Sequence, residues 1–337
     1  MDRLSDYDYS LPEDLIAQNP LADRCGSRLL QLPRQQGGVR HRMFKDVAEL
    51  LLSDDLLVLN NTRVTALRLQ GRKESGAAVE ALLLKEVSPS RFEVMLKPAR
   101  RLKPGAIVHF QDGLRAEVLP DFSGPLRQLQ FDPDPDLSRK LAAVGKTPLP
   151  PYIRQSLSDP ERYQTVYARV GGSAAAPTAG LHFTPELLDG LREKGVGIAN
   201  VTLDVSLDTF RPVEAENLDE HVMHGETAHL SSETADAIAT CTGRIVAVGT
   251  TVVRTLESFA VGPRHVETGT KQTKLFIRPG YRFQIVDGMF TNFHLPRTSM
   301  LMMISAMAGR DRVMAAYAEA VRERYRFLSF GDSMLIL

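Results

Sequence analysis

Apolar and polar positions change their rhythm twice along this chain. Residues 47–64, VAELLLSDDLLVLNNTRV, read as a short helix, a turn at 53–55 and a strand at 56–59. A continuous apolar run of that length suits a strand covered on both faces. From about residue 67 to residue 132 short runs recur: AVEALLLK at 78–85, RFEVML at 91–96, AIVHF at 106–110, LRAEVL at 114–119 and LRQLQF at 126–131. Several alternate apolar and polar residues, and the turn clusters SPS, KPG, QDG and DFSGP separate them. This texture predicts an antiparallel barrel or sandwich, with Asp112-Gly113 as a hairpin turn. Residues 132–153 are Pro-rich and read as an exit linker.

After Pro151 helical and strand patterns alternate. Thr184-Pro185-Glu186 opens a helix that stops at Gly195: Thr as cap, Pro in the first turn, Glu favoured by the helix dipole. A strand follows at 196–205, a helix at 231–241, a strand at 244–249 and a helix opened by Thr250-Thr251 toward Ser258. Residues 274–293 read mostly as strand, and 298–309, TSMLMMISAMAG, as a helix whose four Met suit an adaptable core. The predicted class is α/β: a mostly parallel sheet with helices, plus an inserted antiparallel β-barrel. Residues 1–66 and 148–337 form the discontinuous α/β domain, and 67–147 the barrel.

Composition narrows the function classes. The chain has 337 residues, 43% of them apolar, and a formal net charge of zero, so no global basic field advertises nucleic acid or membrane. No run of about 18 apolar residues predicts a membrane span, and the acidic, polar start is not that of a signal peptide. Cys25 and Cys241 are too few for a disulfide framework or zinc site, and reduced thiols are expected. Local bias survives the neutral total. Six basic residues and no acid fall between Arg24 and Lys45, and five basic residues against Glu93 fall between Arg91 and Lys103. Two such runs leave room for a polyanion held along one side.

Three places carry candidate chemistry. Residues 171–180, GGSAAAPTAG, hold nothing larger than Pro or Thr, and Leu181, His182 and Phe183 follow at once. Small residues in a row allow close approach to the backbone. In HVMHGE, His221, His224 and Glu226 offer three metal-type ligands, but not in the H-E-x-x-H spacing of a helix face. An acid/base or substrate-binding role is the preferred reading there, since His titrates near working pH. In RIVAVGTTVVRTLES, Gly249, Thr250 and Thr251 stand where a strand runs into a helix, a place that receives anionic or polar ligand groups. No G-x-G-x-x-G follows a strand. His294 sits in TNFHLP; His41, His109, His229 and His265 read as structural.

Nine segments in order then resemble one family. They are LPEDLIAQNPLADRCGSRLL, LLVLNNTRV, TPLPPYI, DPERYQTVYA, GSAAAPTAGLHFT, HVMHGE, IVAVGTTVVRTLES, TNFHLPRTSMLMMISAMAG and YRFLSFGDSML. The family is that of the S-adenosylmethionine:tRNA ribosyltransferase-isomerases of queuosine biosynthesis. The resemblance implies ribosyl transfer from S-adenosylmethionine, as cosubstrate, to 7-aminomethyl-7-deazaguanine at a tRNA wobble position. Adenine and methionine leave and the sugar becomes an epoxycyclopentanediol. It implies no bound cofactor or metal, no membrane, a cytoplasmic location and a monomer. Catalytic roles would fall to His182, His221, His224 and Glu226, with His182 facing adenine or the C5′ proton and Glu226 or a neighbouring carboxylate balancing the sulfonium. Substrate binders would be Ser173, Pro177, Thr178, Gly180, Gly249, Thr250, Thr251, Arg254, Asn292 and His294. Arg24, Arg28, Lys97, Arg100, Arg101 and Lys103 would hold tRNA phosphates. One stretch departs: in 202-TLDVSLDTF-210, Asp204 stands for a family His, and Ser206 and Asp208 for two glycines. The competing readings are a metal-dependent hydrolase using HVMHGE and a non-catalytic RNA-binding module.

Overall fold

Residues 56–60 form a strand buried at every position, as the unbroken apolar run at 56–59 demands, with the polar Asn60 at its end. The computed structural model that shows this describes residues 3–120, 126–206, 213, 215–223 and 225–337. Asp208, residues 209–212, His224 and the side chain of Arg100 lie outside the described residues. The chain divides into two compact units. One comprises Met1–Thr62, Pro150–Val170 and Ala176–Leu337; the other comprises Arg63–Leu149 and Gly171–Ala175.

The larger unit is built on a nine-stranded sheet. Its order is Gly269–Thr273, Glu226–Leu230, Gly197–Leu203, Leu56–Asn60, Ile245–Val248, Gly288–Asn292, Ser333–Ile336, Arg28–Leu32 and Arg40–Met43. The four strands from Gly197–Leu203 to Gly288–Asn292 are parallel neighbours. Arg28–Leu32 also runs parallel to Ser333–Ile336, and the remaining neighbours are antiparallel. The sheet is therefore mixed, a parallel block flanked by antiparallel additions that need no helical crossover. Leu57, Val246, Phe290 and Leu335 pack with Phe44, Phe183 and Leu188 in one buried cluster.

Local capping explains the helices. The Thr184, Ser231 and Thr298 side chains accept from the backbone N–H groups of Leu187, Thr234 and Leu301, opening Pro185–Glu193, Ser232–Thr240 and Ser299–Ala308. Met302, Met303 and Met307 of the last helix are buried core. Two expectations change. Of residues 274–293 only Gly288–Asn292 is strand. The N–H groups of Gln284, Ile285 and Val286 bond the buried Glu257 carboxylate instead of a neighbouring strand. A further helix, Arg310–Arg322, follows Gly309 and was not anticipated.

In the smaller unit six strands close into an antiparallel barrel. They are Leu67–Lys73, Ala78–Ser88, Arg91–Lys97, Ile107–Phe110, Arg115–Val118 and Arg127–Phe131. Asp112 and Gly113 take φ of +56° and +69° between paired strands, as a mirror-image hairpin turn requires. The first strand escaped the sequence reading because Gly71 interrupts its alternation. A Cβ at Gly71 would lie 2.7 Å from the Phe110 ring, so the glycine is a packing requirement. Inside the stretch read as a linker, helix Leu137–Val144 sends Leu137 and Leu141 into the barrel core.

Candidate active site

The parallel block ends in a cavity. Strand Ile245–Val248 runs into Gly249, whose φ of +94° turns the chain into helix Thr250–Phe259. Strand Gly288–Asn292 ends beside it and continues into Phe293 and His294. The 3₁₀ turn Thr178–His182 lies beside that strand. Together they wall an open space of about 620 Å³ at the carboxyl ends of the strands, where open α/β sheets take ligands. Seven residues from the sequence reading line it: Pro177, Thr178, Gly249, Thr250, Thr251, Asn292 and His294. Among the described residues, no charged side chain lines it. The polar side chains among its lining residues carry hydroxyls, one amide and one imidazole.

His294 is 8% exposed and its Nε2 lies 2.7 Å from Thr291 Oγ1. The Tyr317 hydroxyl accepts from its backbone N–H at 3.0 Å, and the Tyr9 hydroxyl donates to its carbonyl. Burial lowers its pKa to about 3, so the ring is neutral at working pH. His182 is also buried and lies on a smaller neighbouring cavity, stacked on Phe44 at 4.9 Å. Its Nδ1 lies 2.8 Å from Ser27 Oγ and its Nε2 3.2 Å from Asn292 Nδ2. Burial first, then the charges of Arg24 and Arg326, lowers its pKa to about 3.

Other expected residues are placed elsewhere. Glu226 does not line the cavity: it pairs with Arg254 Nη1 at 2.6 Å inside the core and accepts from the Ser206 N–H at 3.1 Å. Arg254 is correspondingly turned to that carboxylate. His221 packs edge-on against Phe276, with ring centroids 5.1 Å apart. Among the described residues no group of three or more His, Cys, Asp and Glu is placed to hold a metal ion. Gly180 lies against the Tyr167 hydroxyl, and Ser173, in the smaller unit, donates to the Ala175 carbonyl at 2.7 Å. Of the basic residues, Arg24 donates to the Leu181, Glu161 and Gln164 carbonyls. Arg28 bonds Asp332 and the Glu323 and Arg324 carbonyls. Lys97, Arg101 and Lys103 are exposed on the barrel unit.

The sequence reading missed Tyr152 and Ser329. Both line the cavity, and their hydroxyls lie 2.7 Å apart. Their surroundings, TPLPPYI and FLSFGD, form no chemical motif; only the order of segments marked them.

A family model described as queuosine biosynthesis protein matches residues 4–336. The chain belongs to that family. Among relatives, the S-adenosylmethionine:tRNA ribosyltransferase-isomerase of Symbiobacterium thermophilum is 51% identical, covering 99% of this chain and all of its own. The protein of that name from Halothermothrix orenii is 48% identical with the same coverage. A crystal structure of the S-adenosylmethionine tRNA ribosyltransferase from Thermotoga maritima is 37% identical. It covers 98% of this chain and all of its own, with a TM-score of 0.57. The likeness to that solved structure extends over both the barrel unit and the mixed-sheet unit.

Proposed function

We infer that this chain is an S-adenosylmethionine:tRNA ribosyltransferase-isomerase of queuosine biosynthesis. The observation that carries this is near 50% identity, over essentially full length, to relatives of that name. The cavity agrees with it. An open pocket with a neutral, hydroxyl-rich wall at the strand ends offers the uncharged polar contacts that a nucleoside uses. Gly249 and the small side chains before Gly180 let that nucleoside approach the backbone.

The reaction imposes three requirements. The sulfonium acidifies the C5′ hydrogens, so a base must take one. Adenine leaves more readily when protonated. The amine of the acceptor base must be neutral to attack. Each calls for positioned groups and restricted water. The cavity supplies positions: Asn292 and Thr178 on one side, and Thr250 and Thr251 at a helix N-terminus on another. His294 lies neutral on Thr291 at the same wall, able to accept or donate through one ring nitrogen.

The acceptor in this reading is a tRNA bearing 7-aminomethyl-7-deazaguanine at the wobble position, whose unpaired base splays out at low cost. Exposed Lys97, Arg101 and Lys103 are the phosphate contacts it favours, whereas Arg24 and Arg28 are engaged within the protein. A monomer working in the cytoplasm completes the reading. Among the described residues no helix is long and apolar enough to cross a membrane. The metal-dependent hydrolase reading is not favoured, because Glu226 is already neutralised by Arg254. A binding module without catalysis is not favoured either, because the relatives are named as enzymes. The test is adenine release from S-adenosylmethionine, measured with and without the modified tRNA. Release only with that tRNA is expected; none in either case would overturn the assignment.

A further inference from the structure

Asn292 is oriented by its surroundings. The atom assigned Nδ2 lies 3.2 Å from the Leu328 carbonyl oxygen, which can only accept. That atom must therefore be the NH₂ group, whichever way the amide is first drawn. The same nitrogen lies 3.2 Å from His182 Nε2, so Nε2 is the acceptor and carries no proton. The imidazole proton is then on Nδ1 and is donated to Ser27 Oγ at 2.8 Å. Both amide hydrogens of Asn292 have partners. The Thr178 hydroxyl donates to Oδ1 at 3.3 Å, and Oδ1 keeps one lone pair. Thr178 and Asn292 both line the larger cavity.

We propose that His182 is a positioning residue: its Nε2 holds the Asn292 amide so that Oδ1 is presented to the cavity as an acceptor for an N–H or O–H donor of the adenosyl cosubstrate. The proposal rests on the reading that this cavity takes S-adenosylmethionine. It removes His182 from direct proton transfer, since Nε2 faces Asn292 and Nδ1 faces Ser27. The groups bearing on the ring agree. Phe44 stacks on its face, and the charges of Arg24 and Arg326 oppose an imidazolium. A neutral ring in one tautomer is what a fixed acceptor requires.

The test has two arms. In the full-length wild-type protein labelled with ¹⁵N-histidine, His182 is expected to show an unprotonated Nε2 and a protonated Nδ1 throughout pH 5.5–8. Its signals are assigned by their loss in His182→Gln. Titration within that window, or the opposite tautomer, would overturn the proposal. In kinetics, His182→Gln keeps an acceptor for Asn292 and is expected to hold kcat within about fivefold of wild type. His182→Leu, which leaves the amide without its acceptor, is expected to raise KM for S-adenosylmethionine about tenfold with a smaller effect on kcat. A loss of about 100-fold in kcat in His182→Gln at unchanged KM would instead mark a proton-transfer group and defeat the proposal. If the wild type releases no adenine at all, the assigned reaction falls, while the tautomer still decides the lock.

Discussion

Glu226 and Arg254 face each other across 2.6 Å with side chains 2% and 7% exposed. The other carboxylate oxygen accepts from the backbone N–H of Ser206, within the stretch that departs from the family pattern. The contact uses the backbone of Ser206, so serine in place of glycine leaves it intact. Removing one partner of a buried pair leaves an uncompensated charge, which costs about 3–5 kcal/mol. Glu226→Ala is expected to lose that much in urea denaturation. The double change Glu226→Leu with Arg254→Met is expected to lose clearly less than the single change.

Gly180 predicts a second stability effect. A Cβ there would fall 1.9 Å from the Tyr167 hydroxyl and 2.9 Å from Thr165 Cγ2. Gly180→Ala is expected to destabilise by about 1–3 kcal/mol through overpacking. Adding Tyr167→Phe removes the nearest atom and should recover part of the loss, seen as a partial return of Tm.

Acid sensitivity follows from the two buried imidazoles. His182 and His294 titrate at about 3 in the folded protein, against about 6.5 in an unfolded chain. Between these values the unfolded chain binds protons that the native one does not. The stability is therefore present in full above pH 6.5 and is lost as pH falls toward 3. Each ring contributes a slope of up to about 1.4 kcal/mol per pH unit. His182→Gln is expected to flatten the stability profile in this window by roughly one proton. An unchanged slope would mean that the ring is protonated in the native state.

The barrel unit carries the electrostatic prediction. Charge reversal at Arg101 and Lys103 together is expected to weaken tRNA binding and to reduce the slope of log K against log salt by about 1 per lost phosphate contact. Binding measured at several salt concentrations with an unchanged slope would remove these residues from the interface.

Periodicity and turn chemistry made much of the fold legible. Asp112-Gly113 forms its hairpin, Thr184 caps its helix, and the apolar run at 56–59 lies in a strand covered on both faces. Elements whose pattern is broken by a tertiary demand were not legible. Gly71 makes room for Phe110, and the Glu257 carboxylate replaces a strand partner for residues 284–286. The site divides in the same way. Gly249, Thr250 and Thr251 follow from strand–turn–helix logic. The contacts of Ser27 with His182 and of Tyr152 with Ser329 span more than 150 residues each, which no local pattern encodes. Residue type alone also does not place a side chain: Glu226 of the histidine-rich motif pairs with Arg254 in the core, and Arg24 and Arg28 of the basic run donate to backbone carbonyls.

The most direct measurement follows two labels of S-adenosylmethionine at once, one in the ribose and one in the methyl group, during incubation with a tRNA bearing 7-aminomethyl-7-deazaguanine. The account predicts that the ribose label enters the tRNA while the methyl label leaves as methionine. Methyl label in the tRNA, with the ribose label remaining on the departing nucleoside, would contradict it.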